Sequence, residues 1–514
     1  MNNITKHQIK CTLLKPAFIV GFFLASFLFL VPVSHAATYI SGIIDSDTEW
    51  TVDGSPYVVG NTTVAPDITL TIDPGVVVKF ISDAAISVGG SIHADGTSIN
   101  PIYFTSFKDD TVGGDTNEDG TSTSPAPGDW DGFILGWNGT SGLNRFFNVD
   151  INYAGSVYGN DYWASVYTMG HGNTIISNSR IHNSPAYGIF ECQDSGSVVV
   201  SNTEFDHNAL SRGFANWVGS YGLASGSSQI SNSNFHDNAS VGVMAESGSI
   251  SIVNSKFSNN TDGSILVRPD VPFIHSGNTE SGSGKRGIII GTDMMMNDQV
   301  WNGSDFVYVV NSISINNATL TLDPGTIIKL SGLTASVVVT GNIQANGTAD
   351  KPVYITSIKD DTVGGDTNGD GAASTPAPGD GGTIVFGNTS FPGGGILNHL
   401  IIRYGGGDRS AGSCAICSPA NIFVAKGGVT INNSQISFSK SFGVYEELSS
   451  SAVSITSSEI DHNKYGYGGY GTATITGTSI HDNTYAGIYN GLGNLDRYNG
   501  LTTPTLSYEK TIYS

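Results

Sequence analysis

Positive charge is scarce in this chain. Only 22 Lys and Arg residues stand against 44 Asp and Glu, the formal charge is −22, and charged residues of every kind make up 13%. That balance argues against a nucleic-acid partner, because phosphate recognition needs a basic face, and leaves cations as the expected charged partner. Cysteine is sparse too, with Cys11, Cys192, Cys414 and Cys417. The stretch "GSCAICSP" fits a local disulfide or two loop thiols, but no second pair completes the four ligands of a zinc site. Nor does this CxxC open a helix, as a thioredoxin-type motif would. Long apolar runs are missing except for one, Ala17–Val31. It follows Lys6, Lys10 and Lys15 and precedes small residues at Ser34 and Ala36, the pattern of a signal peptide over 1–36 cleaved after Ala36. The run stops at Pro32 and is short for a membrane span. The expectation is an exported protein, secreted or at the cell surface, with no membrane span after cleavage and a charge of −25 once those three lysines are gone.

What the chain does have is glycine, 66 residues of it, with abundant Ser, Thr and Asn and apolar residues that alternate with polar ones. Good helix formers dominate no window, so the chain reads as all-β. It also repeats itself. "KDDTVGGDTNEDG" from Lys108 returns as "KDDTVGGDTNGDG" from Lys359, 251 positions later. "TLTIDPGVVVKF" (Thr69–Phe80) returns as "TLTLDPGTIIKL" (Thr319–Leu330), and "NVDINYAG" is answered by "LIIRYGG". Two tandem units follow, 37–285 with an acidic loop over 108–132 and 286–514 with one over 359–383.

Finer repeats occupy 175–267 and 430–490, among them "ISNSRIHNSPAYGIF", "ISNSNFHDNASVGVMA" and "ITSSEIDHNKYGYGGY". Steps of 20 to 30 residues between short β-rich runs suit a coil of parallel strands, each turn stacking about 4.8 Å from the last. Ile181, Phe205, Phe235, Phe257, Ile436, Ile460 and Ile480 share one slot, expected as a core ladder. Asn208, Asn238, Asn260, Asn463 and Asn483 come three residues later, where stacked amides can bond neighbouring turns and tolerate left-handed backbone. These segments resemble the repeats of the right-handed parallel β-helix superfamily, whose best-known members are pectate lyases and polygalacturonases. The lead "TLTIDPGVVVKF" with its acidic loop resembles a bacterial group of secreted, multi-copy β-helix proteins. The resemblance covers nearly all of the mature chain and implies the fold; β-helices host enzymes and inert binding rods alike.

"DTNEDG" (Asp115–Gly120) and "DTNGDG" (Asp366–Gly371) match the first half of a calcium loop, with carboxylates at alternating positions and a glycine for the sharp turn. An EF-hand needs a bidentate acid at loop position 12, where Ala126 and Ala377 stand, so an ordinary EF-hand is excluded. The expected calcium ligands are Asp110, Asp115, Asn117, Asp119 and Asp129 in the first loop. Their counterparts in the second are Asp361, Asp366, Asn368, Asp370 and Asp380. A solvated acidic turn that holds no ion is the competing reading. Presence in both copies favours a structural ion that pins each insertion.

No catalytic residue emerges. "MGHGN" around His171 contains the Gly-His-Gly of polygalacturonases and Asp109-Asp110 resembles their paired aspartates, but the Asn-Thr-Asp and Arg-Ile-Lys of that pattern are missing. Arg180, Arg212, Arg403 and Arg409 could serve a lyase as base, yet no spacing singles one out. His182, His207, His236, His462 and His481 recur with the turns, as ladder residues do. Trp130, Tyr162, Trp163, Trp217, Tyr221, Tyr465, Tyr467 and Tyr470 fall in loops or at strand ends, fit either to stack on sugars or to pack the loops. The expected function is a non-catalytic binding or structural protein for a polysaccharide or cell-envelope component; the alternative is a polysaccharide lyase or glycoside hydrolase acting on uronate-rich polymers.

Overall fold

Alternating apolar residues and tight polar corners give strands that run in one direction and return to the same sheet. The computed structural model describes residues 36–490 apart from 137–141, 156, 159–160, 163, 171, 193–195, 209–213, 217–226, 283, 408–418, 448–450 and 470–471. The expected signal peptide up to His35 falls outside that range, as do His171, Arg212, Arg409, Cys414, Cys417, Trp163, Trp217, Tyr221 and Tyr470. Among the described residues the structure is all-β apart from one short 3₁₀ turn, Val52–Gly54. No described helix is long and apolar enough to cross a membrane, which says nothing of a β-barrel.

Apart from an antiparallel hairpin, Val157–Tyr158 with Asp161–Tyr162, the strands build stacked parallel sheets, and each pass of the chain adds one strand to each of three sheets in turn. Asn173–Ser177 pairs with Ser197–Ser201 in the first, Arg180–His182 with Glu204–Asp206 in the second, and Ala164–Thr168 with Tyr187–Glu191 in the third. The core lies between the sheets. Phe205 stacks on Phe235 at 4.7 Å and Phe235 on Phe257 at 5.2 Å, with nearly parallel rings. Ile181, Ile436, Ile460 and Ile480 occupy the same buried slot in other turns. Each such side chain contributes about 1.5–3 kcal/mol by leaving water.

The asparagine ladder forms as the spacing predicts. Asn208 Nδ2 donates to Asn238 Oδ1 at 3.0 Å, Asn238 Nδ2 to Asn260 Oδ1 at 2.9 Å, and Asn463 Nδ2 to Asn483 Oδ1 at 3.1 Å. Left-handed backbone, however, sits one residue earlier, at His207, Asp237, Asn259, His462 and Asp482, with φ of 50–55°. The ladder amides point inward to bond the next turn, so the residue before each makes the bend.

Both copies belong to one unit, and the join between them is offset. Ile288–Ile290 extends the third sheet of the first copy by pairing with Gly263–Val267. It pairs on its other edge with Tyr308–Val310, whose counterpart Tyr57–Val59 pairs with the second-sheet strand Val77–Phe80. The same strand thus closes one copy and opens the next, and every element of copy two is shifted by one sheet. Near this join a buried polar knot forms: His275 bonds Asp305 through Nδ1 and the Tyr308 hydroxyl through Nε2 at 2.7 Å, and Asp305 accepts from the Asn278 amide at 2.8 Å.

Candidate metal centres and a groove

The strand Val77–Phe80 sends Val78 and Phe80 into the core and Lys79 to the outer face. Lys79 is nevertheless wholly buried, because the acidic insertion folds back over it. Its Nζ donates to the carbonyls of Asp109 at 2.7 Å and Gly114 at 2.5 Å. Lys329 repeats the arrangement on the Gly365 carbonyl at 2.5 Å. Burial pushes both ammonium groups down, while the acids around them, Asp109 with Asp110 and Asp361 with Asp360, oppose that shift. Sequence reasoning missed these two lysines. The available signal was a lysine at the same place in two otherwise apolar strands.

Asp109 anchors the start of the insertion from a buried position. It accepts from the Thr105 and Thr111 hydroxyls, both at 2.6 Å, and from the Thr111 amide at 3.0 Å. Asp360 does the same with Thr356 and Thr362, and Arg403 adds an ion pair at 2.7 Å. These aspartates are locked into the fold.

Farther along, Asp115 turns the loop by accepting the Asp119 amide at 3.1 Å and the Gly120 amide at 2.9 Å. Gly120 and Gly371 both take φ 69°, the left-handed region that such a turn requires. The fold then gathers Asp110, Asp115 and Asp119 so that one oxygen of each lies within 4.8 Å of the others, and it does the same with Asp361, Asp366 and Asp370. Asn117 Nδ2 donates to Asp119 at 2.9 Å and Asn368 Nδ2 to Asp370 at 2.8 Å, which leaves each amide's Oδ1 over. Those two oxygens and Asp110 Oδ1 and Asp361 Oδ1 are buried acceptors with no partner, identically in both copies. Burial, helped by Asp366 and Asp370 and opposed by Lys329, raises the Asp361 carboxyl above its ordinary range. Hard oxygens in an electron-rich cluster fit a divalent cation of the calcium type better than zinc, which favours nitrogen and sulfur.

Eight of the ten expected ligands therefore gather in two clusters. Asp129 and Asp380 do not join them. Asp129 pairs with Lys108 at 2.7 Å and caps the turn at the Ala126 amide at 2.9 Å; Asp380 pairs with Lys359 at 3.0 Å and caps Ala377 at 2.9 Å. They staple the end of each insertion to its beginning.

The recurring histidines run along the outer faces, paired with carboxylates. His236 reaches Glu204 and Asp237, both at 2.7 Å, and His481 reaches Glu459 at 2.9 Å and Asp482 at 2.8 Å. Arg180 grips Asp206 with two bonds, at 2.8 and 2.7 Å. Of the aromatic residues, Trp130 belongs to the core, not the surface: it stacks on Phe80 at 3.7 Å and donates to the Asn152 carbonyl at 2.9 Å. Tyr467 is buried against Glu446 at 2.6 Å, and Tyr465 stacks on Phe442 at 4.6 Å.

A groove of about 350 Å³ opens in the second copy where two sheets meet, at the single-residue corners His399, Asn433 and Ser457. Ala349, Pro352 and Ile401 supply its apolar lining, and Gln435 and Glu459 its far side.

Comparison with protein-family models and with curated proteins yields no match. Among solved structures the chain is similar to one titled "Crystal structure of Agl-KA catalytic domain", at 17% identity and a TM-score of 0.28. That likeness covers 77% of this chain and 59% of the other, and is too slight to carry an argument.

Proposed function

We propose that this is an exported, non-catalytic protein of the right-handed parallel β-helix type, which binds a glycan or cell-envelope component and carries one structural calcium ion in each acidic insertion. The observation that carries the reading is the recurrence, in both copies, of three converging carboxylates, one of which keeps a buried oxygen without a partner, together with the unpartnered Oδ1 of the asparagine in the same loop. When bound, the cation would supply the positive charge that this cluster lacks. Asp110, Asp115, Asn117 and Asp119 would hold it in one copy and Asp361, Asp366, Asn368 and Asp370 in the other. Lys79 and Lys329 tie each loop to its sheet from beneath, so ion and lysine would clamp opposite sides of the insertion.

The non-catalytic part rests on where the acids go. Hydrolysing a glycosidic bond canonically takes two carboxylates free to flank it. Asp109 and Asp360 are buried and hydrogen-bonded through both oxygens, and Asp129 and Asp380 are spent on lysines. The deciding experiment incubates mature protein and calcium with polyuronates and neutral polysaccharides, followed by size-exclusion chromatography. Intact polymer co-eluting with protein is the expected result, and shortened polymer overturns it. Isothermal titration with calcium checks the ion, with two equivalents expected; no uptake overturns the clamp.

A further inference from the structure

The two copies agree in their insertions but differ at the corner that forms the groove. In copy one, Asp150, Arg180 and Asn148 hold the places of Ile401, Gln435 and His399, and each is committed. Arg180 bonds Asp206 twice and lies 3.8 Å from Glu204 Oε2, Glu204 Oε1 holds His236, Asp150 holds His182 at 2.9 Å, and Asn148 donates to the Gly96 carbonyl at 2.9 Å. In copy two the corresponding groups make fewer bonds. Gln435 makes one long contact, Nε2 to Asp461 at 3.3 Å, and Glu459 keeps one oxygen on His481. Among the described residues, Gln435 Oε1, Glu459 Oε2, the His399 ring and the Asn433 amide have no side-chain partner. Isoleucine and glutamine in place of Asp150 and Arg180 remove the bonds those two make to His182 and Asp206 and add an apolar patch.

We infer that this groove is a binding site for neutral pyranose units of a glycan, and this deepens the binding function proposed above. A pyranose presents hydroxyls around its edge and C–H groups on its face. Glu459, Gln435, His399 and Asn433 offer acceptors and donors for the edge, and Ile401 and Pro352 offer an apolar surface for the face. The volume falls within the roughly 300–1,000 Å³ of small-molecule clefts. Charge selects the sugar class: Glu459 is the groove's carboxylate, no lysine or arginine lines it, and the chain carries −22 overall, so a uronate is repelled.

The test is native affinity electrophoresis of mature protein through gels containing dextran, galactomannan, mixed-linkage β-glucan, polygalacturonate or alginate. At least one neutral polymer should retard the wild type and the polyuronates should not. Ile401→Asp with Gln435→Arg installs the two residue types that copy one carries at these places, and should weaken binding at least tenfold while circular dichroism stays unchanged. Glu459→Gln, a milder change that guards against misfolding of the double variant, should weaken it about fivefold, the equivalent of one hydrogen bond. Arg180→Gln, in the other copy, should have no effect. If a neutral glycan retards the double variant and Glu459→Gln as strongly as the wild type, the groove is refuted while glycan binding stands. Stronger retardation by polyuronate refutes the neutral assignment, and no retardation by any polymer refutes both readings.

Discussion

The one residue that differs between the two acidic stretches is open to a direct test. Position 118 is Glu and its counterpart 369 is Gly, and both take left-handed backbone, φ 57° and 73°. A side chain at 369 has nowhere to go: its Cβ would lie 2.5 Å from the Gly284 carbonyl oxygen and 2.7 Å from its carbon. Those are backbone atoms, so the loop would have to lift. Next to this contact the Arg286 amide donates to the Thr367 carbonyl at 3.0 Å, which makes it a local reporter. In Gly369→Glu the left-handed backbone costs about 1–2 kcal/mol and the lost bond about 1 kcal/mol. A local opening easier by about 2–3 kcal/mol speeds exchange roughly thirty- to hundredfold at 1.4 kcal/mol per decade. Hydrogen–deuterium exchange resolved at Arg286 is the assay. A local measurement is needed because a long repeat stack does not unfold in two states. Glu118→Gly, which relieves strain in the other copy, should leave Arg286 unchanged. Unaltered protection of Arg286 in Gly369→Glu would refute the packing of this insertion against Gly284.

Three further outcomes follow from the same geometry. Calcium at about a hundred times its dissociation constant should stabilise each insertion by about 2.7 kcal/mol, so chelation should expose 108–132 and 359–383 to limited proteolysis; identical digests with and without calcium would count against the ion. Lys79→Met should loosen 108–132 but not 359–383, increasing cleavage of the first loop several-fold in chelator, since a charged hydrogen bond contributes about 1.5–3 kcal/mol; equal effects on both loops would contradict the clamp. Burial lowers the His236 pKa, but the bonds to Asp237 and Glu204 outweigh it and the net value is raised. That stabilisation is complete below the unfolded value of about 6.5 and fades as pH rises through the folded value, so amide protection of 234–236 should fall from pH 6 to 9, and His236→Gln should flatten the profile.

Much of the fold was legible because its determinants repeat along the chain. The core slot from Ile181 to Ile480 depends on a large apolar residue, Ile or Phe, recurring at one place in the turn, and the amide ladder from Asn208 to Asn483 on an asparagine recurring at another. The acid clusters were legible for the same reason, since Asp115, Asn117 and Asp119 lie within one loop. What stayed hidden depends on contacts distant in sequence. Lys79 reads as a surface lysine on a strand until a segment some thirty residues later covers it. Asp129 has the chemistry of a ligand, but Lys108 lies closer to it than the cluster does. Trp130 follows a polar loop and so reads as a loop residue fit either to stack on a sugar or to pack the loop, whereas the fold carries it onto Phe80. The offset join has no sequence signal at all. Parallel pairing uses backbone groups that every residue supplies, so Ile288–Ile290 can serve both copies whatever its side chains are.

That offset explains why the second insertion has a glycine where the first has Glu118. The first insertion leaves between the second and third sheets, after Ile102–Ser106. The second leaves one sheet farther on, after Val353–Ser357, and reaches back across the join to Gly284 and Arg286. The stretch kept twice does the same task twice, fastening a long insertion to a buried lysine and drawing its acids together. Nothing in that task requires the copies to diverge, apart from the glycine that the join demands. Divergence appears at the corner where Asp150 and Arg180 give way to Ile401 and Gln435. There the Arg180–Asp206 and Asp150–His182 contacts have no counterpart and polar groups are left with fewer partners, at some cost in local stability. A scaffold that already has a satisfied solution at this corner has an alternative in copy two, and exposure of unspent hydrogen-bonding groups beside an apolar surface is what a ligand would use.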